Sequence, residues 1–160
     1  MRPIAIILLV LCLAAAGFTG YLYFNTAVTV TGTECAAVDA VDQAALFEQL
    51  KAQTGAGTFT GTPFRTEDIG QAADYQFLTY TVKLRNTTFL KAETAELQVT
   101  PMNGDVLQTA EETPTDIPAR GQGEIRATIL TKKDMHSVRE LIITYYLWGL
   151  PFSTKVTYSP

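Results

Sequence analysis

Residues 4–24 carry no charge and, apart from Thr19, almost nothing polar. Wound as a helix, these twenty-one residues cross a hydrocarbon core of roughly 30 Å. No water-exposed fold accommodates such a run, so it dictates the placement of everything after it. Lys and Arg are retained on the cytoplasmic side of a membrane. Arg2 precedes the run, and no Lys or Arg follows until Lys51. The expected arrangement is a single-pass anchor through residues 4–24 in the bilayer of the cell membrane, with the C-terminal part extracytoplasmic.

The same residues are open to a second reading. A basic start, an apolar stretch and the small residues Ala14, Ala15, Ala16 and Gly17 also describe a cleavable signal peptide with an Ala-x-Ala site ending at Ala16, which would release a secreted domain. Against cleavage, the apolar character continues through Phe18, Tyr21, Leu22, Tyr23 and Phe24, with aromatics at the level of an interfacial belt. Ala16 and Gly20 are four apart, a small-xxx-small pair of the kind that brings two membrane helices together.

About 135 residues remain, enough for one domain with its own core. With 16 acidic and 12 basic residues in the whole chain, there is no electrostatic basis for binding nucleic acid or anionic lipid headgroups. Only Cys35 lies outside the apolar run, so no internal disulfide staples this domain. Cys35 is either an intermolecular bridge or, more simply, a small residue tucked against the fold.

The division expected is an anchor or signal segment over 1–25, a linker or first short strand over 26–37, and an extracytoplasmic domain over 38–160. Within that domain, Val38, Val41, Ala45, Leu46 and Leu50 recur at helical spacing, predicting an amphipathic helix over 38–53 that ends near Gly55. This helix covers either its own domain or a partner, and its own domain is the simpler choice. Thereafter the period is two. Leu78, Tyr80, Val82 and Leu84 alternate with Thr79, Thr81, Lys83 and Arg85, the pattern of a strand with one face buried. Past an Asn86-Thr87-Thr88 turn, Ala95, Leu97 and Val99 alternate with polar residues, which predicts a return strand paired with the first at the centre of the domain. Asn103-Gly104 carries a hairpin signal ahead of Val106-Leu107. Ile125, Ala127 and Ile129 alternate again, and Lys155 to Tyr158 supplies an edge strand. Residues 141–148 are apolar or aromatic at nearly every position, so both faces are expected to be covered, under the helix and the second sheet. The alternative is that Tyr146 and Trp148 form an exposed aromatic patch that marks a partner or ligand site.

Short strands separated by turn residues, with no strand-helix-strand alternation, define the fold class: mainly β, an antiparallel immunoglobulin-like β-sandwich with one added amphipathic helix behind an N-terminal transmembrane helix. The order of a strand ending in an Asn-Thr turn (82–88), a strand and hairpin (97–107), a Pro/Gly turn (117–121) and a further strand resembles the small extracytoplasmic immunoglobulin-like domains of bacterial envelope proteins, of the FxLYD and late-embryogenesis type. Val99-Thr100-Pro101 stands where the Leu-Tyr-Asp signature would be. The resemblance implies binding or scaffolding and transfers no site residue.

Chemical motifs are sparse. The single histidine, His136, sits in a charged turn with no second histidine or cysteine cluster to complete a zinc site. Zinc-protease, nucleophile-elbow, Cys-x-x-Cys and phosphate-loop patterns do not occur. Glu111-Glu112 are adjacent loop carboxylates rather than a converging pair. Asn86-Thr87-Thr88 matches a glycosylation acceptor, although the turn itself is its simpler role. The expectation is therefore a non-enzymatic interaction or accessory module of the cell envelope, with no cofactor, no metal, and an envelope protein as partner. The rival expectation is a secreted or anchored binder of lipid or another small apolar ligand, held between the sheet and the 38–53 helix.

Overall fold

The computed structural model describes residues 2–24, 28–66, 68–110 and 114–160. The apolar run is a helix, α1 (Arg2–Phe24). Strand β1 (Val28–Asp39) follows, then helix α2 (Ala44–Gly55) and a short β2 (Gly61–Pro63). The strands β3 (Tyr75–Asn86), β4 (Ala92–Val99), β5 (Asp105–Thr109), β6 (Thr115–Ile117), β7 (Gln122–Lys132), β8 (Arg139–Leu147) and β9 (Leu150–Tyr158) complete the chain. They form two antiparallel sheets, β1-β3-β7-β5-β2 and β6-β4-β8-β9. Stacked face to face, these make the immunoglobulin-like β-sandwich that the strand pattern predicts.

The period-two pattern builds the main core. Leu78, Tyr80, Val82 and Leu84 of β3 and Ile125, Ala127 and Ile129 of β7 point inward, against Ala95, Leu97 and Val99 of β4 and Leu141, Ile143, Tyr145 and Leu147 of β8. A second cluster lies on the opposite face of the five-stranded sheet. There Tyr75 and Phe77 of β3, Leu130 of β7, and Val106 and Leu107 of β5 gather with Phe47 and Leu50 of α2. The outer face of β3 is thus apolar at its start, beneath α2, and turns polar beyond it, where Thr79 pairs with Thr128 at 2.9 Å. Phe47 and Tyr75 meet with ring centroids 5.8 Å apart and a tilt of 35°, so α2 sits directly on its own sheet.

Several expectations are corrected. The first strand, expected within 26–37 as one alternative to a linker, is longer than expected: β1 runs from Val28 to Asp39, pairing Val38 with Phe77 and Asp39 with Gln76. Backbone pairing along β3 captures Val38, and the helix predicted over 38–53 starts only at Ala44. Its buried stripe is Phe47 and Leu50, while Val41 and Leu46 are exposed. Strands β3 and β4 are not partners. β3 pairs with β1 and β7, and β4 pairs with β6 and β8 in the other sheet. Asn103-Gly104 likewise turns the chain from one sheet to the other, with Gly104 at φ 113° and the Asp105 N–H donating to the Met102 carbonyl at 3.0 Å. Finally, β8 is covered on one face only. Its inner residues are buried, whereas Tyr146 is 39 % exposed, because α2 covers the other sheet and nothing among the described residues is layered over this one. Glu111 and Glu112 lie outside the described residues, as do Asn25 to Ala27.

Candidate functional site

The site predicted at Tyr146 and Trp148 is best built from the β8–β9 hairpin. Leu147 pairs with Leu150, which leaves Trp148 and Gly149 as a two-residue turn, with φ of 51° and 75°. Both angles lie in the left-handed region that a primed hairpin turn requires, where Asn-Gly is the usual choice. A tryptophan there is a backbone outlier, and it holds the indole at the tip of the sandwich, 74 % exposed. Tyr146 lies on the outer face of β8, between Glu93 of β4 and Pro151 of β9.

Trp148 meets a residue of the apolar helix. The Phe18 ring of α1 lies 6.0 Å from the indole in an edge-on arrangement at 78°, and 6.4 Å from the ring of Phe89. Both separations fall within the range of favourable aromatic pairing. Phe89 is 59 % exposed and projects from the loop after β3, which Asn86 organises. The buried Asn86 Nδ2 donates to the carbonyls of Leu90 at 2.7 Å and Ile117 at 3.3 Å. Its Oδ1 accepts the Thr88 N–H at 3.0 Å and the Thr88 hydroxyl at 2.6 Å. Both amide hydrogens are therefore used internally, and the glycosylation triplet serves as a turn. Ala16 and Gly20 are each two residues from Phe18, which places them roughly on the opposite side of α1. A side chain at Gly20 would meet nothing within 4 Å, so this small-residue face is turned away from the sandwich.

Two polar devices join the sheets at sites that the sequence reading did not single out. Asp105 at the start of β5 and Arg139 at the start of β8 are both fully buried. The guanidinium Nε donates to Asp105 Oδ2 at 2.9 Å and Nη2 to Oδ1 at 2.7 Å. Nη1 donates to the carbonyls of His136 and Val138, both at 2.7 Å, and Asp105 Oδ2 also accepts the Met102 N–H at 2.7 Å. The only available signal was a lone charge at the head of each apolar strand. The second device is Gln108. Its carbonyl accepts the Val99 N–H at 2.9 Å and its amide donates to the Leu97 carbonyl at 2.8 Å, so one side chain occupies the edge of β4 beyond the reach of β6. Beside it is an open cleft of about 420 Å³, whose lining includes Thr62, Glu96, Leu97, Gln98 and Thr144.

Cys35 is half-buried against the main core. Burial pushes its thiol above the ordinary value, outweighing the hydrogen bond with Tyr80, so it is a poor nucleophile near neutral pH. Tyr80 beneath it donates to the Ser137 carbonyl at 2.8 Å. His136 is exposed in the turn between β7 and β8. Among the described residues, no three of His, Cys, Asp and Glu converge to hold a metal ion.

No family model matches the chain, and neither does any curated protein. Among solved structures, the chain is similar to the GAE domain of yeast GGA1, at 10 % identity and a TM-score of 0.39, over 57 % of this chain and 96 % of that one. It is also similar to the cupredoxin domain of amoB from Nitrosocaldus yellowstonii, at 11 % identity and a TM-score of 0.35, over 81 % of this chain and 84 % of that one. The class that the two antiparallel sheets define is the β-sandwich, here with an apolar helix in front of it.

Proposed function

We propose that this chain is a membrane-anchored, extracytoplasmic, non-enzymatic interaction or accessory module of the cell envelope. The observation that carries the reading is the state of α1. Pro3–Tyr21 is long and apolar enough to cross a membrane, and apart from the partly buried Phe18 its large apolar side chains are exposed. Each exposed Leu or Ile gains about 1.5–3 kcal/mol on leaving water, and lipid supplies the missing cover. The distribution of basic residues supports an external sandwich. The resemblance of residues 82–121 to FxLYD-type and late-embryogenesis-type sandwiches supports a binding or scaffolding role, with an envelope protein as partner. Ala16 and Gly20 are the residues at which α1 would meet another helix.

The test is the intact mass of the mature protein together with the fraction that contains it. A full-length mass in the membrane supports the anchor, and a mass beginning near Gly17 in the medium refutes it. Crosslinking of the purified outer domain to envelope proteins tests the partner, and a survey without any adduct removes that support. A cellular activity abolished by His136→Ala would refute the non-enzymatic reading. The second reading is a binder of a lipid or other small apolar ligand, for which open clefts lie beside Gln108 and beside Ile69, Tyr75 and Val106. Native mass spectrometry of freshly purified protein decides it by the presence or absence of a bound ligand.

A further inference from the structure

We propose that the α1-proximal end of the sandwich is itself a membrane-contacting surface: Phe89 and Trp148 enter the boundary between headgroups and acyl chains of the bilayer that α1 crosses. The inference rests on reading α1 as a membrane span and goes beyond it, because an anchor alone leaves the domain free to stand off the lipid. The ring contacts set the depth. Phe18 lies six residues before Phe24, where α1 ends, or about 9 Å at the helical rise. Phe89 and Trp148 both pack on Phe18, so their rings share the level of the last two turns of the span. Large exposed aromatics in water are unfavourable, but the interfacial zone is where Trp and other aromatic belt residues are enriched.

The construction of the tip agrees. Trp148 occupies a left-handed turn position for which tryptophan is poorly suited, and strained positions of this kind persist where the projected side chain has a use. The neighbouring turn presents the exposed Arg120, whose N–H donates to the Thr88 carbonyl at 2.8 Å, one residue from Phe89. The acidic groups at the same end, Glu93 and Asp116, are both paired with Lys91, at 3.3 and 2.9 Å.

Trp148 is the only tryptophan in the chain, so its fluorescence reports directly. The full chain is reconstituted in phosphatidylcholine vesicles carrying bromines either near the carbonyl end or near the methyl end of the acyl chains, and its flotation with the vesicles is measured alongside. Loss of emission that is greatest with the shallow bromines is the expected result. The variant combining Phe89→Trp with Trp148→Phe should show the same depth profile from the second site. Flotation with emission quenched only by aqueous iodide overturns the docking and leaves the span intact. Quenching greatest from the deep bromines also overturns it. A chain that does not float overturns the span, and the docking with it.

Discussion

Arg139 and Asp105 show how much of this fold rests on single residues. Each charge is withdrawn from water, and each is matched by the other and by backbone groups inside the protein. Removing one partner leaves the other buried and unpaired, which costs about 3–5 kcal/mol. Arg139→Ala should therefore lower the urea midpoint of the sandwich sharply, whereas a paired exchange to apolar residues of similar volume should recover most of the loss. An Arg139→Ala protein as stable as the parent would show that the pair is not the link between the sheets. Tyr80 acts through its environment in a different way. Burial holds its phenol above the ordinary 10.0, and Cys35 beside it is held above 9.0. In the unfolded chain both lose their protons first as the pH rises. The folded state then binds more protons, so stability is complete below these ordinary values and falls as the pH climbs through the folded ones. Urea midpoints taken from neutral pH to beyond 10.0 should fall on the alkaline side, and Tyr80→Phe should remove much of that slope. Neither role is visible as a motif, because a lone Arg, Asp or Tyr acquires its meaning from the strand opposite.

At the scale of elements, α2 illustrates the limit of a hydrophobic period. The spacing of Val38, Val41, Ala45, Leu46 and Leu50 does describe an apolar stripe. It fails at its start, because Val38 and Asp39 have backbone partners on β3, and a strand already paired is not released to begin a helix. The buried stripe then falls on Phe47 and Leu50, seated on Tyr75, Phe77 and Leu130. Phe47→Ala should destabilise the protein by about 3–5 kcal/mol, while Leu46→Ala, on the exposed side, should change stability by less than about 0.5 kcal/mol. Chemical denaturation of the two variants distinguishes this register from the one that the spacing predicts, and equal losses would refute it. The β8–β9 turn carries its own cost. A non-glycine residue in the left-handed region loses roughly 1–2 kcal/mol, here at Trp148, whose exposure at the tip was one of the two outcomes left open by the near-continuous apolar run of residues 141–148. The pattern of β8 could not decide between them because it does not reveal which sheet α2 covers.

For the whole molecule, two bodies with different solvents are joined in one chain. The sandwich closes its core with residues from both sheets, and among the described residues of α1 Phe18 packs against that core, partly buried at its edge. Removing residues 1–24 should therefore transfer the protein from membranes to the soluble fraction while leaving a cooperative unfolding transition close to that of the full chain. A truncated protein without that transition would mean that α1 is part of the fold. The apolar run, the inward faces of β3 and β7, and the sandwich class were legible from the residues alone, because each follows from local spacing: a span from its length, a strand from its period of two. Strand partners were not legible. The exchange of β3 with β4, the crossing at Asn103-Gly104, the burial of Asp105 with Arg139 and the meeting of Phe18, Phe89 and Trp148 each depend on which faces come together over long separations in the chain. Such pairings are settled only when both sheets and α2 compete to bury the same apolar surface, and that competition takes place in three dimensions.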